Sequence, residues 1–435
     1  MLSAFGRAFR TPDLRKKILF TLGIVLIFRL GSVLPGPGVS TSVVHDCLTA
    51  ANTGANKNIY SLVNLFSGGA LLQLSVFALG IMPYITSSII IQLLVVVIPR
   101  LERLKKEGSS GEAKLTQYTR YLTVALAVLQ STGIIALARS GQLLPSGGGC
   151  DASGIIPDTS ILRIATLVAT MTAGTAVIMW LGELITGRGV GNGMSLLIFT
   201  SIAARLPSEG GSILQVAGGV VFTLVCLLGV AIVVFVVFIE QCQRRVPVQY
   251  AKRMVGRRMY GGTSTYIPLK VNQAGVVPVI FASSLLQLPQ LLGRVWHNTT
   301  FQDIETRYFA RGDHPLYLAV YFGLVMFFTY FYVAITFNPV EVADSMKKYG
   351  GFIPGIRPGR PTAEYLDRVL SRITLPGSLF LGVICVLPLA LLNLTKGQQF
   401  PFAGTSVLIM VGVGLETVKQ IESQLMLRNY EGFLR

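Results

Sequence analysis

Ile81, Ile85 and Ile89 recur at i, i+4 and i+8 in an apolar run, with Pro83, Thr86, Ser87 and Ser88 beside them. Side chains of these types offer no acid–base or nucleophilic chemistry. They can pack one helix on another, or form an aliphatic constriction that dewets, bars ions and lets a bulky chain slide through. A second set of candidates is cationic. Gln241–Asn272 carries Arg244, Arg245, Lys252, Arg253, Arg257, Arg258 and Lys270 without one acid, and Pro354–Pro361 carries Arg357 and Arg360. Such cations either only fix the orientation of a membrane protein or also bind phosphate-rich partners in a salt-dependent way. The five cysteines form no CxxC pair, and the three histidines are isolated. With no phosphate loop and no Ser–His or paired-Asp arrangement either, the expectation is no enzyme, no cofactor and no metal.

The elements that must position these residues are membrane helices. At 435 residues, 51% hydrophobic and 13% charged, the composition fits an all-α polytopic membrane protein. Ten apolar spans are expected at about 18–34, 75–98, 116–138, 161–184, 191–206, 218–239, 273–292, 316–336, 370–392 and 405–424. The fifth is too short to cross the membrane unaided. Sorting the charges by side places 28 basic and 13 acidic residues with the N-terminus and 8 basic and 7 acidic opposite, with Arg29 inside a span. Positive loops stay in the cytoplasm, so both termini are expected there. The run after Arg15-Lys16-Lys17 is long, contains Arg29 and lacks a small-x-small cleavage signal, so it reads as a retained span. Cys47 and Cys150 both fall outside, which allows a disulfide without requiring one.

The chain then divides into a cytosolic amphipathic N-terminus (1–17), a half with five spans (18–206) and a hinge (207–217). A second half with five spans (218–424) bears cytosolic loops 241–272 and 337–366, and a cytosolic C-terminus (425–435) follows. Five spans per half force the second half to enter from the opposite side, as in an inverted repeat. The β-prone stretches about Gly261-Gly262 suggest a hairpin, and Pro354-Gly-Ile-Arg-Pro-Gly-Arg-Pro361 a rigid turn. Ile59–Leu72 is half a span long and breaks at Gly68-Gly69. It either re-enters the protein from outside or lies on the membrane surface. The spans hold almost no paired ionisable groups; Glu183, Glu240 and Glu416 sit near span ends. Ion-coupled carriers place such groups at mid-membrane depth, which argues against a secondary small-solute transporter.

Phe66-Ser-Gly-Gly-Ala, Gly80-Ile-Met-Pro-Tyr-Ile85, Gln117-Tyr-Thr-Arg-Tyr121, Gly189-Val-Gly-Asn-Gly193, Arg257-Arg258, Pro268-Leu-Lys-Val-Asn272, Ile280-Phe-Ala-Ser-Ser284 and Gly355-Ile-Arg-Pro-Gly359 together resemble the SecY family. The resemblance runs from about residue 10 to residue 435. It implies a protein-conducting channel in the bacterial cytoplasmic membrane, with ten helices in two inverted halves and a re-entrant plug. The plug falls on about Ser61–Leu72, with Asn64, Phe66, Gly68 and Gly69. The pore ring falls on Ile81, Ile85, Ile198, Ile280 and Ile409, with Met194 at a position usually held by isoleucine. A lateral gate lies between the second and third spans and the seventh and eighth, with Thr86 and Gln130 at polar gate positions. The cytosolic loops match a docking surface for the SecA motor and the ribosome, Arg257 and Arg258 mainly for the latter and Arg357 for motor-driven transport. The implied partners are SecE-type and SecG-type subunits, signal sequences, nascent chains and membrane lipid.

Overall fold

Proline and glycine decide where the helices begin and turn. Pro12 and Pro315 occupy first-turn positions of α1 (Pro12–Val33) and of a later helix, where a missing N–H costs nothing. α2 (Met82–Val97) starts after Gly80, whose φ is +56°, with Pro83 in its first turn. Ile98, restricted by the following proline, is extended (φ −100°, ψ 110°), and the chain bends by 101° into α3 (Pro99–Lys106). In α3, hydrogen bonding to Lys106 holds the exposed Glu102 carboxyl below its ordinary range.

The computed structural model describes residues 11–40, 43, 70–71, 74–139, 156, 160–250, 253–255, 258–260, 264–283, 285–286, 314–391 and 404–433. They form two compact units. The first comprises 1–222, 397–401 and 413–435, the second 223–396 and 402–412. After α3 come α4 (Ser109–Arg139), α5 (Ile161–Arg188), α6 (Gly193–Ala203) and α7 (Leu206–Gln241). Then follow β1 (Gln243–Tyr250), β2 (Arg253–Val255), β3 (Arg258–Tyr260), β4 (Ser264–Lys270), α8 (Pro315–Thr336), α9 (Pro339–Lys348), β5 (Gly351–Phe352), α10 (Arg360–Leu391) and α11 (Gly404–Phe433).

Among the described residues, five helical stretches are long and apolar enough to cross a membrane, or six if the bent α2–α3 pair counts as one span. Each of the ten expected spans coincides with a helix or helical run, the seventh being described only in part, at 277–283 and 285–286. Three boundaries differ from expectation. The second span begins at Met82, because Ser75 forms a bridge and residues 76–81 are turns, so Ile81 caps the helix and does not lie within it. The fifth span is even shorter than read, eleven residues in α6. Residues 206–217 are helical, and the break falls at Gly218 (φ 82°, ψ 167°).

In the first unit, α4 packs on α2, α3 and α5, and α5 packs on α1 and α6. Its core gathers Leu74, Ala78, Ala127, Ile135, Leu167 and Met171. Leu34–Gly36 pairs with Leu74–Val76 through Gly36 N–H donating to Leu74 O (3.0 Å) and Val76 N–H to Leu34 O (2.9 Å). A side chain at Gly174 would collide with Val76 O, so only glycine lets α5 lie there.

The second unit holds a small β structure built more widely than the expected hairpin. β1 pairs antiparallel with β4 from Gln243↔Lys270 to Gln249↔Ser264, and with β5 through Gln249↔Phe352. Arg258–Tyr260 pairs with Arg253–Val255 instead of with the Ser264 strand, making a separate two-stranded tip. Val246 and Val248 alternate with exposed neighbours and face Leu269, Met346, Ile353 and Leu366. The period-two pattern thus gives these loops their own hydrophobic core.

Candidate functional site

The ring positions occupy two helix starts in the first unit. Ile81 is 3% exposed and accepts Ile85 N–H at its carbonyl (3.1 Å), so Ile81 and Ile85 lie one turn apart at the beginning of α2. Met194 and Ile198 lie one turn apart on α6, and Ile198 is buried. Met194 is not aimed away from its neighbours: its Sδ and Cε fill the notch left by Gly182 on α5.

In the Gly189–Gly193 corner that joins α5 to α6, three amides have separate partners. Gly189 N–H donates to Ile185 O (2.7 Å), and Val190 N–H to Thr21 Oγ1 on α1 (3.2 Å). Gly191 has φ +86°. Asn192 caps α6, its side chain accepting from Met194 N (3.1 Å) and Ser195 N (3.4 Å). Gly193 N–H donates to Thr186 Oγ1 (2.9 Å), and a side chain at Gly193 would collide with Gly182 O.

The gate positions behave differently from each other. Thr86 donates its hydroxyl to Met82 O (2.9 Å) in its own helix, and Gln130 is half-buried on α4. Nearer Tyr84 lies a pair that sequence reading missed. Arg120 on α4 donates to Glu183 on α5 through Nε–Oε1 (2.9 Å) and Nη2–Oε2 (2.7 Å), a bidentate bridge. The signal was available: opposite charges lie at comparable depths in two successive, antiparallel spans. Arg29, expected inside the first span, has an interaction partner.

In the second unit, Ile280 (8% exposed) lies in the helical run 277–283 and Ile409 (2%) on α11. A side chain at Gly412 would press on Val276 Cγ2 at 3.2 Å, so the elements carrying these two positions pass close to one another. Phe281 stacks on Phe328 of α8 at 5.2 Å.

The cationic loops form a platform on the β structure. Arg245 lies 4.8 Å over the Tyr266 ring, a diagonal cross-strand pair in the β1–β4 register. Arg244 is exposed on the same strand. Asn272 Nδ2 donates to Glu240 Oε1 (2.6 Å) and closes the base where α7 and the following span meet. Ile356 N–H donates to Ile353 O (3.0 Å) around Pro354-Gly355, with Gly355 at φ +83°, which is a type II turn. Thr362 Oγ1 donates to Arg357 O (2.9 Å), holding the backbone that presents the exposed Arg357 side chain. Arg360 is 91% exposed and pairs with Glu364 (3.1 Å). Arg253 and Arg258 lie on β2 and β3. Lys252 and Arg257 lie outside the described residues, as do Ser61, Asn64, Phe66, Gly68, Gly69, Leu72, Cys47 and Cys150.

Apolar helix starts, the eleven-residue α6 and a structured cationic platform belong to a polytopic helical membrane protein. Over 100% of both chains, the sequence is 63% identical to the protein translocase subunit SecY of Mycobacterium tuberculosis. The SecY family profile matches residues 75–418, and the chain belongs to the SecY family. The fold matches a solved protein-conducting channel with a TM-score of 0.62 at 17% identity, covering 94% of this chain and 91% of that one. It also matches Sec61 in the canine ribosome–channel complex from the endoplasmic reticulum, with a TM-score of 0.58 at 17% identity, again covering 94% and 91%.

Proposed function

We propose that this chain is the pore-forming subunit of a protein-conducting channel. It passes unfolded secretory polypeptides across the bacterial cytoplasmic membrane and releases transmembrane segments sideways into lipid. The observation that carries this reading is the full-length identity with a translocase subunit. A transporter of small solutes finds no support among these relatives.

In this mechanism a signal sequence or nascent helix partitions between the gate helices, in contact with both pore and lipid. Each buried CH₂ stabilises the parted gate by about 0.8 kcal/mol. The plug at about Ser61–Leu72 leaves the outer funnel as the gate opens, and Ile81, Ile85, Met194, Ile198, Ile280 and Ile409 close around the extended chain. Aliphatic side chains suit a conduit that must accept many sequences, since they make no sequence-specific hydrogen bonds. Met194 keeps the ring apolar while adapting its shape.

The energy comes from a partner. The platform with Arg244, Arg245, Lys252, Arg253, Arg257, Arg258, Arg357 and Arg360 docks the SecA motor ATPase or the ribosome, whose RNA phosphates suit such a surface. SecE-type and SecG-type subunits complete the assembly, and both termini face the cytoplasm. The test is ion conductance through the resting channel in planar bilayers. Ile85→Ser and Ile198→Ser should each raise it; an unchanged conductance in either removes the pore-ring assignment.

A further inference from the structure

Two threonines on different helices do the same thing at the α5–α6 corner. Thr186 Oγ1 donates to Gly182 O (3.0 Å) one turn back in α5 and accepts Gly193 N–H (2.9 Å) at the start of α6. Thr21 Oγ1 donates to Lys17 O (2.9 Å) and accepts Val190 N–H (3.2 Å). Each hydroxyl spends its one proton on its own helix, which aims a lone pair at the loop amide. The orientation of the bond is thereby fixed.

α6 needs such an anchor. Eleven residues rise only about 16 Å, roughly half the hydrocarbon thickness, so the helix cannot be held at both membrane faces. Its first residue rests on Gly182 O, and its second, Met194, fills the Gly182 notch. A small rotation about this corner displaces Met194 and Ile198 together.

We infer that Thr186 is a positioning residue for the channel constriction: its hydroxyl ties the first amide of α6 to the last turn of α5 and so sets where Met194 and Ile198 stand. This rests on the pore-ring reading above. Thr186 itself is exposed. Valine therefore keeps its branched shape and puts a methyl group in place of the hydroxyl, without opening a cavity in the core.

The experiment measures resting conductance per channel in planar bilayers for the assembled complex carrying Thr186→Val, Thr186→Ser or Ile198→Ser. Thr186→Val should raise the leak about fivefold, the factor that one hydrogen bond of ordinary net strength commands. Thr186→Ser, which keeps the hydroxyl, should stay as tight as the parent. If Ile198→Ser leaks while Thr186→Val stays tight, or yields fewer channels of parental tightness, the positioning role is wrong and the ring stands. If valine and serine leak equally, the hydroxyl is not the cause and the inference falls. If Ile198→Ser stays tight, the ring reading fails and takes this inference with it.

Discussion

Leu366→Ala should loosen the cationic β platform and leave the membrane helices as they are. Leu366 is fully buried at the start of α10, against Val246, Val248, Leu269, Met346 and Ile353. The substitution removes three carbons, about 2.4 kcal/mol at 0.8 kcal/mol each. The unfilled cavity brings the cost to about 3 kcal/mol, near the low end for such truncations because neighbouring Met346 can partly collapse into the space. At 1.4 kcal/mol per factor of ten, opening of the platform becomes roughly 150-fold more frequent. Hydrogen exchange on the reconstituted protein reads this directly, since β1 and β4 amides exchange by local opening. Their protection should fall by about two orders of magnitude, while α4 and α5 amides keep theirs. Motor-driven transport should fall as well, although Arg357 is untouched, because the turn that presents it stands on this core. Arg360→Ala, at a 91% exposed side chain, is the contrasting case and should change protection by less than about threefold. A loss of protection below tenfold in Leu366→Ala, or one shared equally by α4 and α5, would refute an independently cored platform.

Arg357→Glu should abolish motor-driven export in reconstituted vesicles while the protein still inserts and folds; parental export rates would remove Arg357 from the docking surface. Glu183→Gln breaks the bidentate bridge and leaves Arg120 uncompensated. With side chains 43% and 26% exposed, the pair lies between the surface and buried limits, so the cost should be about 2 kcal/mol. A double-mutant cycle with Arg120→Leu, followed by thermal unfolding in detergent, should show coupling above about 1 kcal/mol; additive losses would mean the two side chains act separately.

Span positions were readable because apolar runs of this length have few alternatives. The Pro354-Gly355 turn was readable because proline fixes φ and glycine supplies the positive φ that a type II turn demands. Strand partnership was not. The segments flanking Gly261-Gly262 are both β-prone, and nothing local says that Ser264–Lys270 prefers Gln243–Gln249 over the nearer Arg258–Tyr260. The longer ladder wins because it buries Val246, Val248 and Leu269 against α9 and α10, a tertiary reason. Ile81, Ile85 and Ile89 matched a helical period, yet Gly80 and Pro83 carried the information that the helix begins between them. Thr21 and Thr186 left no trace at all, because a threonine in a span usually bonds its own helix and both of these do that too.

The two parts of this protein are therefore held by different physics. The platform has a hydrophobic core, so its stability follows buried area and responds to truncations such as Leu366→Ala. In the membrane, lipid tails are as apolar as leucine and burial of aliphatic surface gives little drive for helix association. There, close approach at Gly174, Gly182 and Gly193, the hydrogen bonds that Thr21 and Thr186 accept and those that Arg120 donates must fix the geometry. It follows that changes of a single hydroxyl can shift a membrane helix while apolar swaps on its lipid face do not, and that in the platform the order of sensitivity is reversed.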